Sequence, residues 1–301
     1  MDPGPEVRAG RAGGAAAHGG LFRGHQQVRL GQIPVLPLSE KEQAVRRILV
    51  QAGRVAIAFS GGADSSLLLW LALDTLGPAN VLVLTARSSL LPPRHLEWAT
   101  SWPARQGLAG RVSHLLVDIQ PLAWTEFASN PADRCYLCKS RVYRLFLDHA
   151  RRQGMAELLD GTNADDLQSE RPGLKALQEL GIVTPLAAAG LSKAEVRALS
   201  RQIGLDTWDV PSASCLATRI PEGLAITPAR LARIDILETY LEGIGCEGCR
   251  VRLDRRDEDT VYVQVQEKDL PRLVAGWERG DLLDFFNDFG TKKVFLDLRG
   301  R

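Results

Sequence analysis

The sequence predicts an α/β fold: a parallel sheet with helices on both faces, followed by a smaller α+β domain. Three observations carry that expectation. Between residues 39 and 206, short apolar runs alternate with helical stretches, the pattern of parallel strands joined by crossover helices. A Gly-rich turn, Ser60-Gly-Gly-Ala-Asp64-Ser65-Ser66, separates the first apolar run from an apolar helix. From about Thr207 the pattern changes to a loop, a capped helix and short alternating strands.

The elements follow in order. Ser39, with Glu42 three residues on, reads as a helix N-cap. Arg54–Phe59 is a buried strand, and an apolar helix runs from about Ser65 to Leu76. Asn80–Ala86 is a second strand, a helix follows Pro92 and Pro93, and Val112–Val117 is a third strand. A helix over Tyr136–Gln153 leads to a short fourth strand, Glu157–Asp160. Ligands of such sheets bind beyond the carboxyl ends of the strands, and Ser60, Ala86, Asp118 and Gly161 fall there. The second domain, 207–301, opens with a loop over Pro211–Gly223 and a helix capped at Thr227, with Pro228 at its first position. Strands are expected at Cys249–Leu253, Thr260–Val265 and Lys293–Leu298, with a helix near Leu270–Trp277. Asp254–Asp259 reads as an exposed hairpin loop, and Trp208 and Trp277 as core. Residues 1–38 are rich in Gly and Ala without hydrophobic period, which predicts a disordered extension.

Composition narrows the class. A formal net charge of +1 provides no global attraction for nucleic acid. No apolar run reaches membrane-spanning length, and the N-terminus lacks the apolar stretch of a signal peptide. The expectation is a cytoplasmic protein without nucleic-acid or membrane partners. Five cysteines, four of them in two Cys-x-x-Cys pairs, suggest metal or redox chemistry in a reducing compartment.

The Gly-rich turn is a candidate anion site. Successive backbone N–H groups at a helix N-terminus attract phosphate. Gly61 and Gly62 let the backbone approach it, and Ser60 and Ser65 can donate hydroxyls. The turn is not GxxxxGK[ST] and no Lys follows it, so a P-loop kinase or GTPase is not expected.

The cysteines allow more than one reading. Cys135 and Cys138 open a helix and could be metal ligands, a redox pair or a buried turn. With Cys246 and Cys249 they could form a four-cysteine zinc site. Against that, Cys249 shares a strand face with Val251 and Leu253, which predicts a buried apolar role. Arg250 and Arg252 alternate onto the opposite face, suited to a phosphate or simply to solvent.

SGGxDS between strand and helix resembles the PP-loop of the ATP pyrophosphatase superfamily. Five further segments sharpen the resemblance: Asn130-Pro-Ala-Asp-Arg-Cys135-Tyr-Leu-Cys138-Lys139; Asp160-Gly-Thr-Asn163-Ala-Asp165-Asp166; Arg171-Pro-Gly173; Pro185-Leu and Leu191-Ser-Lys193; and Pro211-Ser-Ala-Ser-Cys215-Leu-Ala-Thr-Arg219-Ile-Pro. Together, from about Ser39 onward, they resemble the LarE family of ATP-dependent sulfur transferases of nickel-pincer nucleotide synthesis.

That resemblance implies an ATP-cleaving enzyme. ATP would sit on Ser60, Gly61, Gly62 and Ser65, with Asp64 placing Mg²⁺; Ala86 and Asn163 complete the candidate nucleotide set. The family adenylylates a carboxylate of pyridinium-3,5-biscarboxylic acid mononucleotide, and a sulfur then displaces AMP. Members with the Cys-x-x-Cys pair and the later cysteine resemble enzymes that hold a [4Fe–4S] cluster on three thiolates, here Cys135, Cys138 and Cys215, and take sulfur from an external sulfide donor. The alternative is a sacrificial Cys215 that gives up its own sulfur. Arg250 and Arg252 would face a substrate pore, Glu238 and Asp269 would line it, and Arg219 would bind phosphate or AMP. The resemblance also implies a homo-oligomer. The chain departs from the family's Gly-Tyr-Arg ending with Arg299-Gly300-Arg301. Two other functions fit parts of the pattern: a tRNA thiolase, which needs a basic face, and a non-catalytic nucleotide sensor.

Overall fold

The computed structural model describes residues 40–168, 172–211 and 214–298. The expected extension over 1–38, the N-cap at Ser39, Arg171 and the terminal Arg299–Arg301 lie outside the described residues.

Strands β1 (Val55–Ala58), β2 (Val81–Arg87), β3 (Ser113–Asp118) and β4 (Glu157–Asp160) form one sheet in the order β3-β2-β1-β4. All its pairings are parallel. β1 is buried along its whole length, as a central strand covered on both faces must be. The pleat divides its residues: Val55 and Ile57 join one core, Ala56 and Ala58 the other.

The first core is built from helices α1 (Glu40–Ala52), α2 (Ala63–Leu76) and α9 (Lys193–Ile203), with Trp102 of α3 (Pro93–Arg105). The opposite face is covered by Tyr143, Phe146 and Ala150 of α5 (Arg134–Arg152) and Leu177 of α7 (Pro172–Glu179). Every residue of α2 from Ser65 to Leu73 is buried. Such a helix can rest only inside the protein.

The chain after residue 207 builds the second architecture. α10 (Pro228–Gly243) starts at Thr227, whose hydroxyl accepts from the Arg230 N–H at 3.3 Å. β5 (Arg250–Leu253) pairs antiparallel with β6 (Thr260–Gln264), which pairs parallel with β7 (Lys293–Leu296). Helices α11 (Leu270–Glu278) and α12 (Asp281–Asp288) intervene. The α/β architecture with a smaller α+β part is therefore as the sequence predicts. Trp277 corrects one expectation: it is 57% exposed, at the margin of the narrow α11 stripe whose buried residues are Leu273 and Gly276.

The C-terminal core reaches back across the chain. Leu90 and Phe127 are part of it, and Trp124 and Cys138 pack against it. Asn130 fastens the two segments. It has φ 60°, a conformation Asn tolerates better than most residues. Its fully buried carboxamide donates to the carbonyls of Pro221 (2.7 Å), Leu224 (2.8 Å) and Ile220 (3.3 Å). The Asn130 backbone carbonyl accepts from the Gly223 N–H at 2.9 Å.

Asn130→Ala deprives three carbonyls of their shared donor and places a less tolerant residue at positive φ. It is expected to lower unfolding free energy by about 2–4 kcal/mol. Asn130→Asp, which cannot donate, should cost at least as much. Urea denaturation of the three proteins checks this; losses under about 0.5 kcal/mol would show that the carboxamide does not fasten the segments.

Candidate functional site

Strand order places a topological switch between β1 and β4, where chain connections diverge and ligands of open α/β sheets bind. The Gly-rich turn leaves β1 there. Gly61 has φ 77°, and a Cβ on it would stand 2.9 Å from the Ala99 Cα, so this position admits only glycine. The Trp98 indole N–H donates to the Gly61 carbonyl at 3.1 Å. Ser60 and Ser65 hydroxyls lie 3.1 Å apart, and Ser65 also donates to the Gly62 carbonyl at 3.2 Å.

α2 then starts without a side-chain cap: Gly62 is its N-cap. The first N–H groups of any α-helix lack intrahelical acceptors, so those of Ala63, Asp64 and Ser65 point out of the buried helix end. From the other side of the switch, Gly161 lies against them; a Cβ there would stand 2.9 Å from the Ser65 nitrogen.

Asp64 sits at this helix start between two partners. The Asn163 carboxamide donates to it at 3.1 Å, and the Lys193 ammonium forms an ion pair with its other oxygen. Asn163 is itself locked, since its side-chain oxygen caps α6 (Ala164–Leu167) by accepting from the Asp165 and Asp166 N–H groups. Lys193 was not among the residues that motif reading alone singles out for a role. One signal was available: it is the first residue of a helix capped by Ser192 and Glu195, where the helix dipole disfavours a cation. Ala86 is half-buried one residue before the end of β2. Beside it, Arg87 and Asp118 pair across the ends of β2 and β3 at 2.5 and 2.6 Å.

Cys138 and Cys215 pack against the C-terminal core at the seam between the two parts of the chain, with Cys135 one turn of α5 before Cys138. Cys135 and Cys138 lie on the first turns of α5. Cys215 precedes a short 3₁₀ turn, Leu216–Arg219, anchored by the Leu216 N–H to the Leu90 carbonyl at 2.8 Å. All three are half-buried free thiols. Burial pushes the Cys138 thiol up to about 12, with Cys215 and Cys135 adding repulsion. Burial and then Cys135 also raise Cys215. The thiols thus feel one another in a low-dielectric seam, where a bound cation would favour their ionised forms. Among the described residues, no three His, Cys, Asp or Glu side chains converge closely enough to form a ready metal site. Two residues before Cys215, 212 and 213, are outside that description.

Arg219, Glu238 and Arg252 do come together, but as a buried network. Arg219 is 5% and Glu238 2% exposed. Their bidentate pair spans 2.8 and 3.0 Å, and Glu238 also accepts from the Val251 N–H at 2.8 Å. Removing either partner strands a buried charge, at about 3–5 kcal/mol. Arg219 also donates to the Ser214 carbonyl at 3.0 Å, so the network fixes the backbone beside Cys215. Arg252 donates to the Thr218 carbonyl at 2.8 Å and to Gln264 at 3.0 Å. Arg250 and Arg252 share the half-buried face of β5, opposite Val251 and Leu253. Asp269 stands apart from this group. It is fully buried at the start of α11, paired with Arg272 at 2.6 Å. In this chain neither Glu238 nor Asp269 faces solvent. Cys246 and Cys249 are both buried in the C-terminal core, which for Cys249 is the apolar role that strand alternation predicts.

No protein-family model matches the chain. Curated relatives do. It is 36% identical over 263 residues to an uncharacterized protein of Synechocystis sp., covering 87% of this chain and 95% of that one. It is 26% identical over 245 residues to an uncharacterized protein of Methanocaldococcus jannaschii, covering 81% and 89%. It is 32% identical over 271 residues to the pyridinium-3,5-bisthiocarboxylic acid mononucleotide synthase of Lactiplantibacillus plantarum, covering 87% of this chain and 92% of the synthase. With that identity spanning nearly the whole of both chains, and with the motif segments that first suggested it, the chain belongs to the LarE family.

Proposed function

We propose that this protein is an ATP-dependent sulfurtransferase that converts carboxylates of pyridinium-3,5-biscarboxylic acid mononucleotide to thiocarboxylates. The observation that carries this reading is the uncapped start of α2, with Asp64 held by Asn163 and Lys193 at the sheet's switch point. The similarity to a synthase of the bisthiocarboxylic mononucleotide supports the choice of substrate.

The chemistry needs both halves of the site. A carboxylate is a poor electrophile because its leaving group would be oxide. Its oxygen attacks the α-phosphorus of ATP, the α–β phosphoanhydride bond breaks, and pyrophosphate leaves. A hydrosulfide sulfur then attacks the carboxyl carbon, the bond to AMP breaks, AMP departs and the proton passes to solvent. The N–H groups of Ala63, Asp64 and Ser65 would hold pyrophosphate oxygens. Mg²⁺ would draw Asp64 to itself and free Lys193 for a phosphate.

Cys135, Cys138 and Cys215 fit an iron–sulfur cluster by donor chemistry: three mutually interacting thiols in a buried seam, on segments joined by Asn130. When bound, the cluster would supply an iron able to carry the incoming sulfide. The chain's own part is to fix Cys215 through the Leu90 carbonyl and the Arg219 network.

Two measurements test the reading. Protein given ATP, Mg²⁺ and the biscarboxylic mononucleotide should release pyrophosphate, and Asp64→Asn should slow release at least about 100-fold, the scale of losing a metal-positioning charge. Absence of release from the unaltered protein would favour a nucleotide-binding role without catalysis. Anaerobically purified protein should be brown with about four iron per chain, and Cys135→Ala, Cys138→Ala or Cys215→Ala should each lose it. Iron-free protein in which Cys215 loses its sulfur after one turnover would make Cys215 the sacrificial donor instead.

A further inference from the structure

We infer that Lys139 is the residue that binds the substrate carboxylate as it is presented to the α-phosphorus of ATP. This rests on the reaction proposed above.

Lys139 follows Cys138 on α5, and its stem crosses Gly173 of α7. A Cβ on Gly173 would stand 2.8 Å from the Lys139 Cδ, so the glycine provides the groove in which the stem lies. This accounts for Gly173 of the Arg171-Pro-Gly173 segment, to which the reaction itself gives no task. The half-buried ammonium ends 5.5 Å from the centroid of the Tyr143 ring. Among the described residues it has no carboxylate partner. Lys41, Lys175, Lys193, Lys292 and Lys293 each stand within ion-pair distance of one, and Lys268, for which no such pair is found among the described residues, is exposed. A cation that faces an aromatic ring and no carboxylate keeps its attraction for an anion.

Its surroundings select which anion. On one side a chain of contacts reaches the nucleotide end: the Tyr143 hydroxyl donates to Asp160, Asp160 accepts from the Thr162 N–H at 2.7 Å, and the intervening Gly161 lies against the start of α2. On the other side, Lys139 follows Cys138 directly on the second turn of α5. ATP phosphates already have the α2 N–H groups and Lys193. The group that must be presented first to the α-phosphorus and then to sulfur is the substrate carboxyl, and Lys139 stands between the two ends.

Lys139→Met keeps the stem over Gly173 and removes only the charge; Lys139→Gln is a second neutral variant, Lys139→Arg restores charge, and Lys175→Gln is the control. The dissociation constant of the biscarboxylic mononucleotide, by calorimetry without ATP, and its KM in pyrophosphate release should rise roughly 10- to 100-fold in the Met and Gln variants, as for loss of a charge-assisted hydrogen bond. The KM for ATP, the iron content and the melting temperature should stay near those of the unaltered protein. Lys139→Arg should recover most of the affinity, and Lys175→Gln all of it. Unchanged mononucleotide affinity in an active Met or Gln variant overturns the role of Lys139 and leaves the proposed reaction standing. So does a loss of kcat and melting temperature that Arg does not rescue, which would make Lys139 structural. Unaltered protein that neither binds the mononucleotide nor releases pyrophosphate overturns both.

Discussion

A helix buried on every side has to begin somewhere, and the beginning of α2 governs much of this protein. Its side chains from Ser65 to Leu73 are all withdrawn from solvent, so the helix cannot shift to find a cap. The turn before it must reverse sharply from a buried strand, which Gly61 permits at φ 77°. The chain leaving β4 passes so close that Gly161 has no room for a side chain. Three N–H groups are thereby held at a fixed place with their positive ends outward. Asp64, Asn163 and Lys193 come from three separate segments and converge there. The anion site is thus a consequence of how the core is packed.

A second convergence depends on the seam between the two parts of the chain. Cys135 and Cys138 belong to the helix covering one face of the sheet, whereas Cys215 belongs to the segment entering the C-terminal part. The Asn130 carboxamide binds carbonyls at 220, 221 and 224, and the Arg219–Glu238 pair fixes the turn after Cys215 to α10 and β5. The same pair accounts for the burial of both Arg219 and Glu238. Their charges satisfy each other and the backbone of β5, and burial strengthens that bond. The α3 residue Arg94 adds a further tie, pairing with Asp235 and Glu242 of α10 at 2.5 and 2.7 Å. Sulfur chemistry at this seam would take place between two elements that cannot drift apart without breaking buried polar contacts.

Much of the fold was legible in the sequence. The strands are found within one or two residues of their expected bounds, because most are short apolar runs between turn residues. Thr227 and Pro228 start their helix as written, and Cys249 points inward with Val251 and Leu253. Trp277 was less legible: α11 is short and one-sided, and a large aromatic in it can lie on either margin of the apolar stripe. Lys193 lies in a motif segment, but its role was not legible there because its partner is 129 residues away. Lys139 lies in another, and what marks it is a missing side chain on a different helix.

The sequence by itself determined the α/β class, the Gly-rich turn opening an apolar helix, and which residue types could carry phosphate and sulfur chemistry. These are properties of local pattern: periodicity, turn stereochemistry and side-chain functional groups. Tertiary structure alone decided that Asp64 is shared by Asn163 and Lys193, that Arg219 spends its charge on Glu238, and that Lys139 faces an aromatic ring and, among the described residues, no carboxylate. The physical reason is range. Whether a charge is paired depends on groups brought within about 4 Å by packing across the whole chain, and no local pattern records that distance.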